Sequence, residues 1–332
     1  MNEVMSSFVP GLQFSRDFYA QAVRPVIAGV AHSAALIGPG SEVLAFDTER
    51  SAARGWGPRV VVFVPAGLVG EVTASLVEEL PRVFGGYPVV VGAEGGVRVA
   101  EASVWLSDRL GFDPLAGAGV LDWLSAPWQR LAEVTRGEVF HDGLGVLERV
   151  RSALRWYPAD LERYVLACQW RRVARLESFP RRCGETGDDL GSAVFTAALV
   201  GELMRLVLLV RRRYPPYAKW VGGAFARLSG TAELGEVLSL AVGAAGWRAR
   251  ERYLGQAVER VAVLQGRLGR LGSVPGVEGG AWGLAEALAG GVVDPVVRGF
   301  PLTGSVDQLG GGAELLEDPR RCRAAVGAVL GL

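Results

Sequence analysis

The sequence predicts an α+β protein, a small mixed-sheet unit followed by a larger α-helical domain. Three observations carry this. Short apolar runs rich in valine alternate with helical spacing over the first ~110 residues. From about Val120 onward the apolar positions recur at helical spacing, with few β-branched runs. Half of the 332 residues are apolar, enough for a large core in one or two domains. The boundary is placed between residues 118 and 119, giving domains 1–118 and 119–332, with a cleft expected between them.

Taken in order, Ser15 stands where it can cap a helix running to residue 29, with Phe18, Ala22, Val26 and Ile27 on one face. Residues 34–37 read as a short apolar strand ending in Gly38-Pro39-Gly40. Residues 60–64 are a continuous apolar run, as in a strand buried on both faces, and Pro65 stops it. Leu68, Val72, Leu76 and Leu80 are four apart and predict a helix. Residues 89–91 and 97–99 read as two strands around a glycine-rich turn at 92–96. Helices are then expected over 128–134, 144–154, 160–177, 191–213, 232–245 and 247–268. Pro158 and Pro215 fall between or before them, where proline is tolerated. Residues 266–280 are rich in glycine and read as a loop. No repeat is visible.

Net formal charge is zero and the pI is about 6.8, so no overall electrostatic footprint for nucleic acid is present. Lysine occurs once, as Lys219, among 35 basic residues. The bias toward arginine suits a GC-rich genome and makes Lys219 conspicuous. Cys168, Cys183 and Cys322 form no metal-ligand spacing, and with two histidines a structural zinc site is not expected. An odd cysteine count and an N-terminus without a basic region suit the reducing cytoplasm. Residues 191–210 are apolar enough to suggest a membrane span, but Glu202 and Arg205 within them favour a buried helix of a soluble domain.

The stretch Gly40-Ser41-Glu42-Val43-Leu44, followed by Trp56-Gly57-Pro58-Arg59, belongs to a longer ordered series. The series includes Phe14-Ser15-Arg16-Asp17-Phe18-Tyr19, Gly137-Glu138-Val139-Phe140-His141-Asp142, Trp156-Tyr157-Pro158, Gln169-Trp170, Gly187-Asp188 and Tyr214-Pro215-Pro216-Tyr217-Ala218-Lys219-Trp220. In these segments the chain resembles a bacterial nucleotidyltransferase-like family of unknown function. The C-terminal half of that family is helical in the manner of kanamycin nucleotidyltransferase. The resemblance implies a phosphate-holding Gly-Ser turn and, entering the next strand, an acidic pair in an Asp-His-Asp pattern. Here that slot reads Ala53-Arg54-Gly55. Two-metal nucleotidyl transfer needs carboxylate oxygens, which these side chains do not supply.

Several residues are candidates for the chemistry that remains. Gly40 and Ser41 either contact an anion through turn amides and a hydroxyl or simply form a turn. Arg54, with Arg59 nearby, places positive charge where the resembled family has acids, or Arg54 is an exposed arginine in an arginine-rich chain. Lys219, beside Tyr217, would face phosphates by the resemblance, or lies on the surface. Asp188 is a helix cap or a cleft acid, and His141, beside Asp142, is a general-base candidate. Asp47, Glu49 and Glu101 are the acids that could replace the missing pair.

The resulting expectation is a degenerate nucleotidyltransferase fold that performs metal-independent chemistry on a small phosphate or sulfate ester in bacterial specialised metabolism. As an enzyme it would be a transferase or lyase, with catalytic Asp188 and His141. No metal cofactor is expected; a nucleotide is left open. The expected partner is a small anionic molecule, not nucleic acid or membrane. A non-catalytic subunit bound to another protein and an active nucleotidyltransferase with unusual acids are the alternatives.

Overall fold

The computed structural model describes residues 8–52, 57–92, 95–269, 279–310 and 312–332. The chain is α+β, with a small mixed sheet and a larger helical C-terminal part. It divides into two compact units, Met1–Asp122 with Arg130–Arg155, and Trp123–Gln129 with Trp156–Leu332.

In the first unit, strands β1 (Ser33–Leu36), β2 (Val60–Phe63), β5 (Val97–Ala100) and β6 (Glu138–Asp142) form one sheet in the order β5-β2-β1-β6. β2 runs antiparallel to β1 and parallel to β5, and β6 pairs antiparallel with β1. β3 (Val83–Phe84) and β4 (Tyr87–Pro88) make a separate small hairpin. Register places Ala34 opposite Val62 and Val62 opposite Val99, which forms an apolar row on one face. These side chains pack with Phe18, Val23, Val72 and Leu76 from the helices that cover that face. The neighbouring row is Ala35, Val61 and Arg98, on the other face because strand side chains alternate.

Three expectations are corrected here. Residues 89–91 form no strand: Val91 makes only an isolated bridge with Val97, and Val90 and Gly92 close the turn into β5. The fourth strand of the sheet is β6, from a region read as helical, so residues 130–155 return to the first unit. The five residues Glu138–Asp142 are too short and too polar to announce a strand without their partner β1. Ser15 caps no helix, because the helix already starts at Gly11. Its cap comes from Asp47, whose carboxylate accepts the Gly11 amide at 2.7 Å, while the buried Ser15 hydroxyl accepts the Arg59 amide at 3.3 Å.

In the second unit, the helices Ala159–Glu177, Asp189–Val210 and Trp247–Arg267 pack together, flanked by Ala232–Gly243 and Gly280–Gly290. The glycine-rich loop expected over 266–280 falls largely outside the described residues. Asp189–Val210 is the one helix among the described residues long and apolar enough to cross a membrane, and 56% of its most apolar window is buried within the protein. Its Glu202 meets Arg172 at 3.0 Å and the Gln169 amide at 2.7 Å. Burial works against that carboxylate, but Arg172, Arg205 and Gln169 outweigh it and hold it below its ordinary range. Gln308 extends the network, donating to Gln169 and to the Val165 carbonyl at 3.0 Å each.

Two carboxylates give opposite pH signatures. Asp142 accepts the Ser33 hydroxyl at 2.6 Å and the amides of Val146, Leu147 and Glu148, so it ties β1 to the next helix. Burial raises its pKa, but those hydrogen bonds prevail and leave it lowered. Its contribution to stability is therefore present above about pH 4 and is lost as pH falls through the folded value. Asp142→Ala should cost about 1–2 kcal/mol at pH 7 by chemical denaturation, and less under acid conditions. Asp307 is part-buried as a residue, but desolvation pushes its carboxyl up to about 7, even though it accepts the Trp128 amide at 2.9 Å. A raised folded value means stability is lost as pH rises from about 4 through about 7. Asp307→Asn should flatten that decline and melt above the parent protein at pH 8. A variant that melts lower than the parent at pH 8 would contradict this assignment.

Candidate anion-binding site

The loop after β1 is built around one glycine. Gly40 has φ +142°, and a Cβ there would strike the Arg59 guanidinium and the Glu42 carboxylate. Those two groups form a close ion pair, with side chains 13% and 6% exposed respectively. Glu42 stands in the turn of helix Glu42–Leu44, and Arg59 immediately precedes β2. The loop is fixed further by hydrogen bonds from the Phe46 amide to the Ser41 carbonyl at 2.7 Å and from the Gly137 amide to the Val43 carbonyl at 3.0 Å. Ala45 at its end has φ +57°, a conformation that non-glycine residues adopt at a cost.

Beside this loop the first unit has a cavity of about 180 Å³. Its wall is formed by Ile37 and Pro39 after β1, Arg59 and Val61, Arg98 of β5, and Trp105, Asp108 and Arg109 of helix Ala102–Leu110. Arg98 reaches it because Val97 and Val99 occupy the core face of β5. Trp105, Asp108 and Arg109 share a helix face at positions i, i+3 and i+4. Trp105 also packs edge-on against Phe63, ring centroids 5.6 Å apart. Arg109 is 3.6 Å from Glu133, and its guanidinium lies 5.8 Å from the centre of the Trp105 ring. The Nε of Arg59 is buried and has no hydrogen-bond partner among the described residues, so this donor is not used by Glu42. Three guanidiniums around one cavity with an apolar wall can hold an oxyanion by charge-assisted hydrogen bonds.

The candidate residues fall into separate places. Gly40 and Arg59 come together, and Ser41 follows them in the loop, half-buried. Ala53, Arg54 and Gly55 lie outside the described residues. His141 is exposed on β6, its ring 4.6 Å from that of His32. His32 is buried and bonded to Tyr19 and the Val30 carbonyl; burial lowers its pKa. Asp188 caps the helix Asp189–Val210, accepting the Gly191 amide at 2.7 Å. Lys219 and Tyr217 belong to the second unit. Both are exposed, and the Lys219 ammonium lies 4.8 Å from the Trp220 ring and 5.7 Å from that of Tyr217.

The substitute acids do not assemble. Asp47 is engaged at the start of the first helix, Glu49 is exposed, and Glu101 precedes helix Ala102–Leu110. Among the described residues no three His, Cys, Asp or Glu side chains form a group that could hold a metal. The two-metal arrangement of the resembled family therefore has no fit in these residues, and no step is assigned to it.

Sequence reasoning passed over Arg98, Asp108 and Arg109. The signal for Arg98 was present: an arginine between two valines in a strand points away from the core the valines build. No comparable signal joins residues 105–109 to residue 59, because only the packing of the helix against β2 does so.

Residues 123–221 match a family model described as Domain of unknown function (DUF4037). No curated protein and no solved structure matches the chain. The matched segment takes in the segments of resemblance from Gly137 to Trp220. It carries a buried aromatic cluster in which Trp156 and Tyr214 have ring centroids 4.9 Å apart and Trp128 donates to the Tyr157 hydroxyl at 3.0 Å.

Gly40→Ala should be strongly felt. The added methyl group meets an ion pair that cannot move without exposing one charge, and the backbone conformation is strained for any side chain. A loss of roughly 1–3 kcal/mol is expected in denaturant titrations. A neutral substitution would mean that the loop conformation is not the one described.

Proposed function

We propose that the first unit binds a small oxyanion, a phosphate or sulfate monoester, in the cavity beside the Gly40 loop. We further propose that the chain uses a degenerate nucleotidyltransferase-like scaffold to do so without metal. The observation that carries this reading is the convergence of Arg59, Arg98 and Arg109 on one cavity with Trp105. A buried oxyanion needs such partners, since desolvation without them is prohibitive. The cavity, about 180 Å³, is smaller than the roughly 300–1,000 Å³ of drug-sized ligand sites. That size favours a compact ester over a nucleoside triphosphate. The cytoplasm, where phosphate esters are abundant, is the expected compartment.

Binding is better supported than any particular reaction, transferase or lyase. Of the two catalytic candidates, Asp188 is occupied as a cap and His141 is not among the cavity residues. A second reading, a subunit that docks on another protein, draws support from Leu190 and Val194, which are 77% and 58% exposed on helix Asp189–Val210.

Calorimetric titration with inorganic phosphate and with sulfate should show binding that neither magnesium nor manganese enhances. Each charge-assisted hydrogen bond contributes roughly 1.5–3 kcal/mol, so Arg98→Ala should weaken affinity about tenfold or more with little change in melting temperature. Arg98→Lys should restore part of it. If the parent protein binds neither anion, the oxyanion reading is lost and the docking-subunit reading replaces it.

A further inference from the structure

The charges around the cavity are not equally free. Arg59 is matched by Glu42, and Arg109 by Glu133. Two wall residues, Arg98 and Asp108, make no ion pair or side-chain hydrogen bond to any described residue. Both are exposed, one on β5 and the other on helix Ala102–Leu110. After internal pairing the described residues of the cavity therefore present one unmatched cation and one unmatched anion. A ligand with only negative charge would gain from Arg98 and be repelled by Asp108. A ligand carrying both signs satisfies the two groups at once, and a protonated amine is the ordinary partner of an unpaired carboxylate.

We propose that the cavity selects a zwitterion, a phosphate or sulfate monoester that also carries a protonated amine. Its oxyanion is held by Arg98, and its ammonium by Asp108. This rests on the oxyanion reading above and adds the substrate class. The cavity volume, about 180 Å³, limits the spacer between the two charges to a few carbon atoms. Asp108 is thereby a specificity-determining residue. Its place one position before Arg109, on the same helix as Trp105, fixes the ammonium end against a rigid element rather than a loop.

The test compares two probes of equal size, O-phosphoethanolamine and n-propyl phosphate, which differ by an ammonium in place of a methyl group. Titrated into the full chain near pH 7.5, a mildly alkaline condition of roughly physiological value, phosphoethanolamine should bind about tenfold or more tightly than propyl phosphate. Asp108→Asn should remove that preference by weakening phosphoethanolamine, while propyl phosphate binds as well as or better than before. Asp108 is exposed, so equal melting temperatures should confirm that the variant is folded. Equal affinities in the parent protein, or a preference that survives Asp108→Asn, would overturn the zwitterion assignment while propyl phosphate binding keeps the oxyanion reading. Binding of neither probe, and none of inorganic phosphate, would overturn both.

Discussion

The Glu42–Arg59 ion pair is the interaction on which the first unit's site depends. Both side chains are largely buried, so each charge is tolerable only because the other is there. The pair joins the loop after β1 to the entry of β2, two segments 17 residues apart in sequence. Gly40 leaves the space in which the two side chains meet. Once the pair is formed, the position of Arg59 is fixed, and the edge of the cavity follows from it.

The alternation of strand side chains then separates stability from function. In β2 and β5 the residues of one parity, Val60, Val62, Val97 and Val99, build the core with the covering helices. Those of the other parity include Val61 and Arg98, which line the cavity. A core of valines on a short sheet gives Arg98 a rigid base, and the helix carrying Trp105 closes the wall by packing on Phe63. Val61, Arg98, Trp105, Asp108 and Arg109 of the site therefore stand on strands and a helix, which lowers the entropy cost of holding a small ligand.

The second unit solves a different problem. Its most apolar helix, Asp189–Val210, could be mistaken for a membrane span, yet it carries Glu202 into the interior. That carboxylate is surrounded by donors from Arg172, Arg205 and Gln169, and Gln308 continues the chain of hydrogen bonds. A buried polar network of this kind fixes the register of the helices, because any slip leaves a charge without a partner. The aromatic cluster around Tyr157 and Tyr214 supplies apolar contact in the segment similar to the domain of unknown function.

The sequence by itself determined the α+β class, the strands near Ala34, Val60 and Val97, and most of the long helices, because hydrophobic period is a local property of the chain. It also singled out Gly40 and Arg59, through their place in a recognisable motif. Tertiary structure decided the rest. β6 is a strand only because β1 offers it an edge, and the helix start at Gly11 is capped by Asp47 from 36 residues away. Asp188 could be a cap or a cleft acid in sequence, and the Gly191 amide settles its present partner. Above all, Arg98, Asp108 and Arg109 meet Arg59 through packing alone. Their charges acquire meaning only when Glu42 and Glu133 have neutralised two of the guanidiniums and left Arg98 and Asp108 exposed to the cavity. Such pairing depends on distances in space, which no periodicity in a sequence encodes.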